Sequence, residues 1–554
     1  MTPLERDDAA HPGAEADGAS VGSARPAGPA RRSVWSVLGA AVSAVAVLGV
    51  VAAVAVAGTF REPVAPQPVP LTAVDVPAPA TDLVCPGTVR LPTEPEAGSD
   101  VAYDPQFDPA PVASSAALAA ISVLPQGGDT PAAARLDPLG APTEPPLATL
   151  APTGPAAGVT LDGLTGSLVL HAEPAGEVPA WVAGATVVRT PDGDLRGLVG
   201  ASCAPATGEV WLVGGGTSLG SSARLVLDNP GQTPAVVGVE LWGPTGPVEL
   251  AGAPQYLVPA GGERALLLEG VAAEQERIVV RLSATGGLVG AHLQDSALRG
   301  LVPAGTDYVV AGAGPATDQV VTAVSVAGSA ADGADVGVLR LLAPGTEDGT
   351  ARIAVLGPDG AVELPGAEEV ALEAGAVLDV PLGGLPAGRY TLVVDADVAV
   401  VAGAMLTRGS GVGLPPDLAQ EPVDQAPLDR AWVPAATVGT AGPLALPPGA
   451  SGELVLAAVG EPGGPADVSV DVIGADGVLG TTTMRVPSGT TSALSLDALT
   501  GASDGATGLV VRSADPRLVW GVVLTEVRPD GDLVAVLSPV APAVDRPSLE
   551  VRVR

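Results

Sequence analysis

A short segment, Leu225-Val-Leu-Asp-Asn-Pro-Gly231, returns as Leu339-Arg-Leu-Leu-Ala-Pro-Gly345 and, more loosely, as Leu454-Val-Leu-Ala-Ala-Val-Gly460, at offsets of 114 and 115 residues. Recurrence at a fixed period means that one supersecondary unit is built several times. A chain of 554 residues is also too long for one hydrophobic core. Behind each copy lies an alternating segment ending in a Gly turn: VVGVELWGPTG (236–246), ARIAVLGPDG (351–360) and DVSVDVIGADG (467–477). Alternation at period two followed by turn residues is the pattern of a half-buried strand entering a hairpin.

Each unit then closes on a paired apolar motif, read as a final hairpin: VVRLSATGGLVGAHL (279–293), LVVDADVAVVAGAML (392–406) and LVVRSADPRLVWGVVL (509–524). A fourth copy, VVRTPDGDLRGLVGASC (187–203), lies upstream. The linking segments 306–328 and 429–438 are expected to open the units that follow them, and 533–542 to close the last sheet. Six to eight short strands in roughly 110 residues is the density of an immunoglobulin-like or fibronectin-like sandwich. Closed propellers repeat at about 40–50 residues, so the period argues against one. The expectation is an all-β row of tandem immunoglobulin/fibronectin-like β-sandwich repeats after one N-terminal transmembrane helix, with a diverged β-domain at 81–205 and repeats at 206–305, 306–428 and 429–545.

Composition agrees with this reading. Hydrophobic residues make up 47% but aromatics only 2%, so the cores must be filled by Val, Leu and Ala. The 73 Gly and 57 Pro interrupt any long soluble helix. Net charge is −35 and every basic side chain is Arg except the three His. Such a surface repels phosphate backbones and carries no basic stripe, so nucleic acid is not an expected partner.

From Val34 to Phe60 the chain runs 27 residues without a charge, where about 20 suffice to cross a bilayer. Arg25, Arg31 and Arg32 precede this stretch, which by the positive-inside rule keeps the N-terminus cytoplasmic and exports the remainder. Ala55-Val56-Ala57 also resembles a signal-peptidase site, so two readings stand, a retained anchor and a cleaved signal. Residues 1–33 read as a disordered cytoplasmic tail, and 61–80, rich in Pro, as an extended stalk. The two cysteines, Cys85 and Cys203, fall on the exported side, where one disulfide is the simplest outcome and metal binding the minor alternative.

Candidate chemistry is thin. His11 lies in the tail, while His171 and His292 read as ordinary strand residues. Gly216-Thr-Ser218-Leu-Gly220 matches the nucleophile-elbow pattern but precedes a strand-like run, where that motif needs a helix after the Ser. Gly312-Ala-Gly314 lacks the third glycine of a dinucleotide fingerprint. Asp192/Asp194, Asp395/Asp397 and Asp530/Asp532 are close carboxylate pairs without the full ligand set of a calcium loop, and read as turn acids. Trp211, Trp242, Trp432 and Trp520 lie in or beside expected strands, as core rings or, where exposed, as glycan contacts. No catalytic, cofactor or metal residue is assigned.

The run RGLVGASCAPATGEVWLVGGGTSLGSSARLVLDNPG (196–231), with the single upstream anchor and Cys85, resembles the actinobacterial membrane family catalogued as domain of unknown function 5719. The resemblance covers about Thr81 to Pro542 and implies a cell-envelope location, with no established activity. The functional expectation is a non-enzymatic, membrane-anchored envelope protein that scaffolds or contacts an envelope protein or glycan. Its alternatives are a glycan-binding accessory protein for polysaccharide assembly and a serine hydrolase built on Ser218.

Overall fold

The computed structural model describes residues 34–59, 72–75, 78–92, 114–125, 128–142, 145–333, 335–409, 426–460, 463–502, 505–540 and 548–551. The expected tail, with His11, Arg25, Arg31 and Arg32, lies outside them, as do Phe60 and most of the expected stalk. Two compact units divide the chain, residues 1–73 with 550–554, and residues 74–549.

The first unit holds a helix, Val34–Thr59, of 26 residues, apolar on every face. Among the described residues no helix is long and apolar enough to cross a membrane. Inside the expected stalk, Thr72–Asp75 is a strand, in a two-stranded sheet with Ser548–Val551.

The described part of residues 74–549 is almost wholly strand, turn and loop, in antiparallel sheets, two to each repeat except the third, where the two are joined into one eight-stranded sheet. In the second repeat one sheet runs Glu209–Val213, Val279–Thr285, Ala235–Gly243, with Gly246–Val248 and Gln255–Val258 on the outer strand. The other runs Glu263–Leu267, Ser221–Asp228, Gly290–Arg299, Val302–Val310. Their inner faces share one core of small aliphatic side chains, among them Leu212, Leu225, Val237, Val239, Val280 and Leu293. The same strand order recurs in the second sheet of every repeat, ending on Gly197–Ser202, Val302–Val310, Leu428–Pro434 and Leu533–Leu537.

The paired motif is not a hairpin. In the second repeat its arms, Val279–Thr285 and Gly290–Arg299, belong to different sheets. In the third they fuse into one 22-residue strand, Gly388–Gly409, whose first half pairs with Ala316–Val326 and Gly349–Gly357 and whose second half pairs with Val338–Leu342 and Leu428–Pro434. Period-two alternation reports that a segment is extended, not which strand it pairs with. The upstream copy at 187–203 is a true hairpin, Trp181–Thr190 with Gly197–Ser202, and so matches a different part of the unit.

The expected boundaries at 305/306 and 428/429 fall on strands that pair backward, Val302–Val310 with Gly290–Arg299 and Leu428–Pro434 with Gly388–Gly409. Each therefore closes the repeat before it. Leu533–Leu537 closes the last sheet as expected, on Leu518–Glu526.

The repeats do not form a row. Each closing strand touches the next, and Leu533–Leu537 of the fourth repeat touches Gly197–Ser202 of the first. Shared cores seal every junction: Val199 and Ala201 with Tyr308, Trp211 and Trp242 with Leu342 and Val401, Val320 with Ala457 and Val519, and Ile121 with Val510 and Trp520. The result is a closed ring of four repeats, reached at a long period because each supplies two layers of strands. Crowding at the centre explains the small residues. A Cβ on Gly197 would stand 2.6 Å from the Thr306 carbonyl oxygen, and one on Gly305 would stand 2.5 Å from the Arg430 amide.

Candidate functional site

The expected disulfide forms. Cys85, ending a strand of one sheet, joins Cys203, just past a strand of the partner sheet, with Cα atoms 4.2 Å apart and a separation of 118 in sequence. Gly184 makes room for it, since a Cβ there would stand 2.5 Å from Cys203 Sγ.

The remaining candidates are scattered. Ser218 lies in a turn and is followed by the strand Ser221–Asp228, so no elbow forms. His171 bonds Asp82 (2.6 Å) and Glu173 (3.2 Å) at the surface. Partial burial lowers its pKa, but the two carboxylates outweigh that and raise it overall. The carboxylate pairs hold no metal cluster among the described residues. Asp397 instead accepts the Thr350 amide and Asp530 accepts from Arg196. All four weighed Trp rings are packed inside. Trp211 stacks on Trp242 with centroids 5.5 Å apart, Trp432 donates to Asp295 Oδ2 (2.8 Å), and Trp520 donates to the Thr440 carbonyl (2.8 Å).

Where the closing strands meet, buried carboxylates tie them together. Asp429 Oδ2 accepts from the amides of Leu198 (3.2 Å) and Val534 (2.7 Å), one on each flanking closing strand. Asp307 accepts from the amides of Trp432 (2.6 Å) and Gly200 (3.4 Å). These strands belong to separate sheets, so their inward amides have no ladder partner, and the carboxylates satisfy them. Burial, partly offset by the N–H bonds, pushes Asp429 up to about 7 and Asp307 well above the usual range. Arg196, 2% exposed, adds bonds to the carbonyls of Leu428 and Gly531.

Past the C-terminal ends of the same four strands lies a cavity of about 230 Å³. Its wall is mainly apolar, with Val84, Val289, Val310, Trp520 and Val536 contributing, and it also reaches Asp228 and His292. Asp228 is 1% exposed and neither carboxylate oxygen has a hydrogen-bond partner. The nearby Ser167 hydroxyl donates to Glu263 instead (3.2 Å). Burial, reinforced by Glu263 and partly offset by the neighbouring Ser167 hydroxyl, raises the Asp228 pKa well above normal. His292 packs edge-on against Tyr308, 4.7 Å between centroids, and burial with Arg224 nearby lowers it to about 3. Sequence reading passed over Asp228, Asp307 and Asp429. One signal was present: within the repeated segment Asp228 stands where the later copies carry Leu342 and Ala457.

No curated protein and no solved structure matches the chain. The model of a family of unknown function, DUF5719, matches residues 156–497, from the strand Ala156–Asp162 of the first repeat to the turn at Leu496 in the fourth. That stretch is well over half of the chain and takes in the second and third repeats whole; the protein belongs to the family of unknown function DUF5719.

Proposed function

We propose that this is a non-enzymatic, membrane-anchored envelope protein whose exported ring of β-sandwich repeats serves as an interaction scaffold. The observation that carries the reading is a disulfide, Cys85–Cys203, in the body that follows a long apolar helix in sequence. Disulfides persist in oxidising compartments, which supports export. The uncharged stretch from Val34 to Phe60, 27 residues where about 20 suffice to cross a bilayer, and the exposure of the helix's described side chains favour reading the segment as an anchor. Two sheets in about 115 residues, with one strand order throughout, favour reading each repeat as immunoglobulin- or fibronectin-like. The partner on this reading is another envelope protein, and the glycan alternative has no anchor among the four buried Trp rings.

Membrane-impermeant PEG-maleimide on intact cells tests the topology. Both cysteines are expected to label only after an impermeant reductant is added. Labelling that requires permeabilised cells, or that proceeds without reductant, would refute the reading.

A further inference from the structure

We propose that the cavity at the end of the ring axis is a binding site for a compact organic cation, an ammonium group on an apolar body, received by Asp228. The argument uses the repeat as an internal control. Asp228 sits opposite Gly290 in its sheet. The corresponding places in the third and fourth repeats are Leu342, opposite Val401, and Ala457, opposite Val519. Both are fully buried and packed in the apolar seam between neighbouring repeats. The fold therefore accepts an apolar residue at this position, and a carboxyl there is not needed to build the ring.

It is costly to keep. A buried carboxyl with both oxygens unpaired forfeits its hydration with no return from the protein. Buried polar groups without partners are rare enough in native proteins that each needs a reason, and a missing ligand is one. His292 is a second departure. The same register places Gly403 and Gly521 where this repeat carries the imidazole, opposite Val226. Two polar side chains thus stand on adjacent strands where the other repeats carry apolar residues or glycine, and both reach one cavity.

The chemistry of the wall selects the ligand. An anion would meet Asp228 with Glu263 beside it, and a purely apolar molecule would leave the carboxyl unsatisfied. An ammonium donates to both oxygens, while its apolar body covers Val84, Val289 and Val310.

The test titrates the full chain in a neutral detergent with three probes of one shape: cyclohexylmethylammonium, cyclohexylmethanol and cyclohexanecarboxylate. Calorimetry and Trp fluorescence are read together, since Trp520 lines the cavity. The ammonium is expected to bind at least tenfold more tightly than the alcohol, and the carboxylate not at all. Asp228→Ala, which installs the residue of the fourth repeat, should melt no lower than the parent and bind the ammonium no better than the alcohol. If Asp228→Ala fails to fold, Asp228→Asn gives the same binding readout. Equal binding of ammonium and alcohol, undiminished ammonium binding in the variant, or no binding of any probe would overturn the proposal.

Discussion

Asp429 shows what one side chain does for this ring. It serves amides from two neighbouring closing strands that no sheet ladder reaches. Asp429→Ala orphans both, and with each buried unsatisfied group costing about 1–3 kcal/mol, a loss of about 2–6 kcal/mol is expected in urea unfolding. Its pH response follows from linkage. A carboxyl held at about 7 in the folded state, against 3.8 normally, contributes stability that is fully present below pH 3.8 and lost as pH rises through 7. His292 acts in the opposite sense, because a pKa lowered from 6.5 to about 3 gives stability present above pH 6.5 and lost as pH falls towards 3. Asp429→Asn should therefore gain on the parent as pH is raised from 5 to 8; a difference in midpoint independent of pH would count against the assignment. Arg340 offers a second test. It is 4% exposed, forks onto Asp379 (2.8 and 2.9 Å), bonds the Gly215 carbonyl and lies over Trp432. Removing one partner of such a buried pair typically costs about 3–5 kcal/mol, and Arg340→Ala should do so.

At the scale of elements, the crossing between sheets distinguishes the repeats. Gly388–Gly409 passes from one sheet to the other without a break, while Val279–Thr285 and Gly290–Arg299 are separated by the Gly286–Val289 turn. Amides paired on both sides open only with the sheets themselves. Hydrogen exchange should thus find the two paired halves, 388–396 and 401–409, protected to nearly the global limit, and a fast-exchanging gap at 286–288. Fast exchange across either paired half would contradict the strand assignment. The crossing was not legible in sequence because a hairpin arm and a crossover arm are both extended, apolar and turn-flanked. The closing strands were misassigned for a related reason: 306–310 and 429–434 follow a Gly or Pro-rich stretch and precede another strand, so local pattern gives no direction of pairing.

For the whole molecule, closure means that no repeat has a complete surface of its own. The fourth buries Leu454, Val510 and Trp520 against Ile121, Ala185 and Val187 of the first, and sends Val455, Val523 and Val534 into the core of the third. A chain ending at residue 440 should expose both faces and lose cooperative unfolding, in place of showing three intact transitions. Denaturation of the full chain should be a single transition, monitored by Trp fluorescence. The disulfide fixes the start of this circuit, and reducing it releases a long loop worth about 4–5 kcal/mol in the chain-entropy model. A melting temperature unmoved by reduction would show that the ring closes without it.

The amino-acid order alone determined the β character, the period of the repeat, the cysteine pair and the apolar segment, because each rests on local spacing or on simple counting. Partner choice between strands, closure of first repeat on last, and the burial of Asp228, Asp307 and Asp429 were decided only in three dimensions. An acid in a strand reads the same whether it faces water or another strand's amide, and only the packing of distant segments tells the two apart.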